Sequence, residues 1–548
     1  MAVDPLQTYT TLETAQQPFR CRFRSVHGAR EIFHLKESDL VFPLAVMNVY
    51  SQLIRKEAIM GKASSQRPNI VWIGVDQMRY DTLGCNGNAL CKTPNVDRIA
   101  SQGICFDRAY CPTTLCTPAR ASMFTGQYAF HHGMLTNCEF YHTIAPELPD
   151  PGMLLHPRLA RLGYGLGFAG KWHVGTEKGP VDYGFEGMNI AGYGNILQDP
   201  DYKRYLEEAN LTYEIRDPIY ADPGENCLLG ATWDGPVEST PAHYVAGRAI
   251  DMMEDLAQRD QPFLLTCQFW GPHQPYRPSR EYAGLHDRSA IEPWVNFGDT
   301  LQDKPATNSR TTTDFYRALP KDWEGWREIV GLYYDYTTMI DAEIGRLIER
   351  LDTLGIAENT LIIFTSDHGD MTGSHGGMND KGYMFEEVHR VPLILSWPGQ
   401  FEAGKRSDAL VYNMDIFPTI LDLLGIADKD LDGQSLCPLA HGAPGSRDDL
   451  LLEFHGIRFL QSQRGLVTRD GWKYVFTPSD RDECYDLNQD PGELVNLIDD
   501  PRHNDKVEEL RNRMMEAAIA AGDPLAACIC KFFGHWINPS GRPDPSQR

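Results

Sequence analysis

Pro68 to Val75 reads Pro-Asn-Ile-Val-Trp-Ile-Gly-Val, too apolar throughout for a strand with one wet face. Such a run suits a strand buried on both sides of a sheet, and it ends on Asp76-Gln77. Pro262 to Trp270 and Thr360 to Thr365 have the same form, the second ending on Ser366-Asp367-His368, and Val391 to Trp397 is a fourth run. Helical patterns lie between them, clearest at Ile340, Ile344, Leu347, Ile348, Leu351 and Leu354, closed by Gly355. Strands alternating with helices predict an α/β fold, a mixed but mostly parallel sheet sandwiched by helices. Ligands of such sheets bind beyond the carboxyl ends of the strands. Asp76, His273 and Asp367 all fall there, which groups them before any motif is considered.

After Asp415 to Ile420 the character changes. Leu450 to Phe454, Gly465 to Arg469 and Trp472 to Phe476 are short segments, and Asp470-Gly471 is a hairpin-turn signal. With a helix near 503–521 they predict a smaller antiparallel unit. The chain therefore divides into an N-terminal extension (1–66), a main α/β domain (67–430) and a smaller C-terminal α+β domain with its tail (431–548). The extension and the tail from Ala526 to Arg548 read as arms of a homo-oligomer, a dimer or tetramer.

The formal charge of −24 over 548 residues argues against a nucleic-acid partner, which needs clustered Lys and Arg. It also requires any anion site to be locally positive against net repulsion. The 13 cysteines include no Cys-x-x-Cys pair, which fits a reduced, cytoplasmic setting better than a disulfide framework. The first 20 residues lack the pattern of a signal peptide, and Leu40 to Ile54 is too short and interrupted to span a bilayer.

Several chemistry-bearing residues converge on the predicted sheet edge. Two carboxylates there, Asp76 and Asp367, need a cation between them or must share a proton, and His368 offers nitrogen to the same place. Cys116 begins a predicted helix running to Gln127, and a helix start stabilises an oxyanion. Arg120 lies one turn on, and Lys171-Trp172-His173 puts a cation and a base one residue apart. Alone, each has a plainer reading: a strand-end Asp caps a loop, Lys-x-His lies at the surface, and a buried cysteine packs.

Together they resemble the sulfatase family of the alkaline-phosphatase-like superfamily. The resemblance runs from Pro68 to about Leu497. It rests on Gly74-Val75-Asp76-Gln77, Thr93 to Asp97, Cys116-Thr117-Pro118-Ala119-Arg120, Gly170 to His173, Gly271-Pro272-His273, Ser366 to Gly369 and Tyr485-Asp486-Leu487. It implies that Cys116 is oxidised by a formylglycine-generating maturation enzyme. The aldehyde's hydrate would ligate metal and attack sulfur. Asp76, Asp367 and His368 would hold one divalent cation, Ca2+ or Mn2+, with Gln77 as a further ligand or neighbour. Arg120 would hold the nucleophile, and Lys171 the ester oxygens. His173 would take a proton from the second hydroxyl, while His273 and Lys381 would steady the ester and protonate the leaving alkoxide. The implied substrate is a small sulfate monoester, aryl sulfates first, with promiscuity toward phosphonate monoesters and phosphodiesters.

Two departures qualify the resemblance. The metal pairs are Asp76-Gln77 and Asp367-His368, where Asp-Asp and Asp-Asn are commonest, and this looks like the phosphonate monoester hydrolase and choline-sulfatase branches. Asn137 matches a substrate-binding asparagine of the phosphonate branch, yet Lys171 and His173 are the sulfatase choice. Phosphonate monoester hydrolase and choline sulfatase are thus the alternatives, the latter needing a cage for which Trp172 and Tyr276 are candidates.

Overall fold

The computed structural model describes residues 67–526 and 528, apart from 223, 309–317, 458–460 and 479. The extension (1–66), including Leu40 to Ile54, and the tail beyond 528 lie outside the described residues. The strands in chain order are β1 (Asn69–Asp76), β2 (Ile104–Tyr110), β3 (Gly165–Gly170), β4 (Glu186–Gly187), β5 (Glu214–Tyr220), β6 (Leu228–Asp234) and β7 (Phe263–Pro272). They continue with β8 (Thr360–Ser366), β9 (Leu393–Ser396), β10 (Lys405–Tyr412), β11 (Asp449–Phe454), β12 (Gln463–Thr468), β13 (Trp472–Phe476) and β14 (Glu483–Asp486). An eight-stranded sheet has the order β10-β2-β9-β8-β1-β7-β3-β4. Only β9 runs antiparallel to its neighbours β2 and β8. The mostly parallel α/β expectation holds.

The apolar run of β1 is divided between two cores. Val71, Ile73 and Val75 face one, Ile70 and Trp72 the other, as side chains alternating across a doubly covered sheet must. The first core takes helices α1 (Pro94–Ser101), α4 (Pro241–Ala257) and α5 (Trp323–Thr353); the second takes α2 (Cys116–Thr125) and α6 (Ile416–Leu423). Helix α5 extends well upstream of the periodicity visible from Ile340. Its first half buries Trp326, Tyr333, Tyr334 and Tyr336 on several sides, so no single apolar stripe marks it in the sequence. Strands β11 to β14 form a separate antiparallel sheet covered by α7 (Asn504–Ala520), sharing a core with Tyr110, Leu115 and Tyr412.

Between β4 and α4 lie α3 (Pro200–Glu208) and the β5–β6 hairpin. Among the described residues no helix is long and apolar enough to cross a membrane.

Candidate active site

Four adjacent parallel strands, β8-β1-β7-β3, deliver most of the predicted residues from their carboxyl ends. Asp76 closes β1, Asp367-His368 follow β8, His273 follows β7, and Lys171 and His173 follow β3. The exit from β3 depends on Gly170, whose φ is 105° and where a Cβ would stand 1.8 Å from the Gln268 carbonyl oxygen. No other residue fits there, and the turn carries Lys171 over the sheet edge. Cys116 opens α2, all ten residues of which are buried.

The inner half of the site is dry and ionic. Cys116 Sγ lies 3.2 Å from His368 Nε2 and 3.8 Å from Asp76 Oδ1. One donor atom from each of Asp76, Cys116, Asp367 and His368 lies within 4.8 Å of the others. His368 Nδ1 donates to the Gly369 carbonyl at 2.9 Å, which fixes the tautomer and leaves Nε2 for a ligand. Two buried carboxylates and a nitrogen aimed at one point fit a divalent cation, and the thiol marks where the hydrate oxygens of formylglycine would stand.

Arg120 points at the carboxylates rather than at residue 116. Its Nε donates to Asp367 Oδ2 at 3.0 Å, Nη1 donates to the Lys171 carbonyl at 3.0 Å, and Nη2 stands 3.6 Å from Asp76 Oδ2. Lys171 Nζ donates to Asp76 Oδ2. Burial opposes ionisation of Asp76, but Lys171, His273 and Arg120 outweigh it and hold its carboxyl well below the usual range. Asp367 goes the other way, raised by burial and by the Asp76 charge, so the two carboxylates divide one burden. Burial pulls His368 down, yet Asp367 and Cys116 lift it to about 9, and a bound cation would have to displace that proton.

The outer half is a chain of hydrogen bonds. Lys381 Nζ donates to Gln77 Oε1 at 2.6 Å and to His273 Nε2 at 2.5 Å. His273 Nδ1 donates to the Gln274 carbonyl, so His273 is held in one tautomer. Gln77 Nε2 donates to Gln274 and to Asp370 Oδ2, so both ends of its amide are engaged by protein. Asn137 Oδ1 accepts from Thr117 N at 3.1 Å, bracing the first turn of α2. Gln77 (φ 63°) and His173 (φ 56°) both sit in the left-handed region, a cost of about 1–3 kcal/mol each that clusters at functional sites.

Two residues at the site carried no signal in the sequence. Glu139 Oε2 accepts from His173 Nε2 at 2.8 Å, which leaves the buried Nδ1 with no hydrogen-bond partner. This is the arrangement of a base oriented by a carboxylate. Burial and Lys171 depress His173, but Cys116, Cys138 and Glu139 raise it to about 10. Tyr193 covers Lys171, with Nζ 4.0 Å from the ring centre, and touches His173 and His273 edge-on. Neither lies in a pattern; Tyr193 is recognisable only as the residue between Gly192 and Gly194. The cage candidates Trp172 and Tyr276 are fully buried. Trp172 packs on Phe124 and Tyr183, and the Tyr276 hydroxyl donates to Asp370.

The family model described as Sulfatase matches residues 68–426, and one described as N-sulphoglucosamine sulphohydrolase, C-terminal, matches residues 373–520. The chain belongs to the sulfatase family. It is similar to an arylsulfatase of Clostridium perfringens, 29% identical over 82% of this chain and 94% of that protein. It is similar also to a choline-sulfatase of Rhizobium meliloti, 28% identical over 80% and 83%. Its fold matches that of a phosphonate monoester hydrolase from Silicibacter pomeroyi, with TM-score 0.69 at 21% identity over 87% of this chain and 99% of the other. Sulfatases of this family in general use formylglycine and a divalent metal.

Proposed function

We propose that this sulfatase hydrolyses aryl sulfate monoesters with formylglycine derived from Cys116, and turns over phosphonate monoesters and phosphodiesters as side reactions. The observation that carries the reading is the cluster of basic groups around one buried nucleophile position: Arg120, Lys171, Lys381, His173, His273 and His368 meet at the start of α2 beside Asp76 and Asp367. A group that gains negative charge there is met by fixed cations in a water-poor site. Asp76, Asp367 and His368 would hold the cation, Ca2+ or Mn2+, with Gln77 beside it. The cation would supply Lewis acidity, and the converted residue a geminal diol with one hydroxyl to attack and one to expel the product.

The chain's own groups then have distinct tasks. Lys171 and Lys381 bind the ester oxygens. His173, its Nε2 proton held by Glu139, takes a proton at Nδ1 from the hydroxyl of residue 116 that did not react. His273 and Lys381 together deliver a proton to the leaving oxygen, help that a phenol needs least. Arg120 keeps the carboxylates in place. Tyr193 shields the Lys171 ammonium and offers an aromatic face to an aryl group.

Phosphonate monoester hydrolysis is the second reading, favoured by Gln77 after Asp76 and by Asn137 at the helix start. Choline sulfatase is disfavoured because Trp172 and Tyr276 are core residues. Conversion of Cys116 needs a maturation enzyme as partner. We place the chain in the cytoplasm, as a dimer or tetramer with no nucleic-acid or membrane partner.

The test is mass spectrometry of the tryptic peptide Ala109 to Arg120 from the native host, followed by rates on matched aryl sulfate and phenylphosphonate esters. A peptide lighter by the change from thiol to aldehyde, with faster sulfate turnover, is expected. An unconverted cysteine in active protein would remove the mechanism, and faster phosphonate turnover would exchange the two readings.

A further inference from the structure

Beside the nucleophile lies a set of donors that sulfate hydrolysis leaves partly unused. Cys138 is buried, and its Sγ donates to Glu139 Oε2 at 3.5 Å. The same carboxylate oxygen accepts from His173 Nε2 at 2.8 Å. One donor atom from each of Cys138, Glu139 and His173 lies within 4.8 Å of the other two. Orienting His173 requires Glu139 but not a thiol. Nor does Cys138 close off the histidine, whose Nδ1 is fully buried and makes no hydrogen bond.

Thiolate, imidazole and carboxylate together form a donor set suited to zinc rather than to calcium or magnesium. Zinc–ligand lengths place neighbouring donors of a tetrahedral site about 3.4–3.6 Å apart. The 3.5 Å between Cys138 and Glu139 already meets that spacing. The His173–Glu139 contact would open by roughly 0.6 Å once the shared proton is gone. Access is available from one side only: the Glu139 side chain is 37% exposed while that of His173 is 0% exposed. That open side would leave the fourth position to water.

We propose that Cys138, Glu139 and His173 form an inhibitory zinc site adjoining the catalytic one. Zinc replaces the Cys138 thiol proton, which is released, and takes the Nε2 lone pair of His173, whose proton passes to Nδ1; the imidazole so held can no longer accept a proton at Nδ1 from residue 116. The inhibitory consequence rests on reading His173 as the proton acceptor of the sulfatase reaction; the binding does not.

Full-length protein carrying Cys116→Ser has no thiol at the Asp76–Asp367–His368 centre, so cobalt(II) can report on Cys138. Titration should give a saturable thiolate-to-cobalt charge-transfer absorption that zinc abolishes and that disappears when Cys138→Ala is added. No such band, or one that survives Cys138→Ala, overturns the site. Should the alanine variant fail to fold, Cys138→Ser keeps the shape and still lacks the thiolate. In the matured enzyme, zinc should inhibit, and Cys138→Ser should raise the zinc needed for half-inhibition about tenfold or more. Equal inhibition of both proteins overturns the regulatory role. Absence of sulfatase activity would count against the reaction assigned above and leave the cobalt result standing.

Discussion

Two of the charged clusters buried among the described residues differ in how their charges are balanced. At the sheet edge, basic groups crowd two central carboxylates, and Arg120 Nη2 and Gln268 Nε2 remain without hydrogen bonds. Lys381 donates to Gln77 and His273 and also meets Asp380 at 3.2 Å. The second cluster lies between the loops after β7 and β8 and the C-terminal sheet, and there each basic group meets a carboxylate. His375 Nδ1 lies 2.7 Å from Asp299 Oδ2, which Lys304 also meets at 2.8 Å. His375 Nε2 faces Glu387 at 3.5 Å, while Lys473 bridges Glu493 at 2.8 Å and Glu386 at 3.2 Å. Burial of charge is common to both, so burial alone does not mark a catalytic site. What marks it is donors left over and held in place, a cost in stability borne where a ligand will supply the missing acceptor.

Breaking the second cluster should therefore damage folding and spare chemistry. Lys473→Met removes one partner and leaves Glu493 and Glu386 buried and unpaired, which should cost about 3–5 kcal/mol of stability. Chemical denaturation would show it, with kcat and KM near wild type well below the melting temperature. A loss under about 1 kcal/mol, or a large fall in kcat in folded protein, would mean that the cluster is not the structural tie described.

The catalytic cluster should respond in the opposite sense. Lys171→Ala removes a cation placed for the ester, and kcat/KM for an aryl sulfate should fall about 10²–10³-fold. Asp76 keeps Arg120 and His368 nearby, so the loss of stability should be smaller than that of Lys473→Met. An unchanged rate would remove Lys171 from the mechanism. A collapse in stability would place it with Lys473 and erase the distinction between the clusters.

How legible these clusters were in the sequence follows from how each is made. The catalytic residues stand one or two places beyond long apolar strands, so the strand pattern itself located Asp76, His273 and Asp367 on one edge. Cys116 was visible from its spacing to Pro118 and Arg120. Strands β2, β3 and β10 were not read, because Gly165 to Gly170 is half glycine and Lys405 to Tyr412 starts polar. The β5–β6 hairpin was missed for a similar reason: β5 is largely exposed and carries no apolar alternation. Glu139 and Tyr193 reach the site from loops, where position depends on chain path rather than periodicity. The second cluster joins residues 299 to 493, a set of long-range pairings that no local pattern announces.

The comparison has a pH dimension as well. Burial pulls His375 down, but Glu387 and Asp299 outweigh it and lift its pKa from 6.5 to about 9. A histidine raised in the folded state stabilises fully below its unfolded value and loses that contribution as pH rises through the folded one. Stability should therefore decline between about pH 6.5 and 9, by at most on the order of 3 kcal/mol at about 1.4 kcal/mol per unit. Thermal melts across this window should show the decline, and His375→Gln should start lower and decline less steeply, because His368 and His173 are raised in the same sense and still titrate. Burial also raises Glu493 to about 7, inside the same window, so the share of His375 is read as the difference between wild type and His375→Gln. Equal slopes for wild type and His375→Gln would mean that His375 is not an ion-pair partner. The tie between the catalytic loops and the C-terminal sheet would then rest on the two lysines.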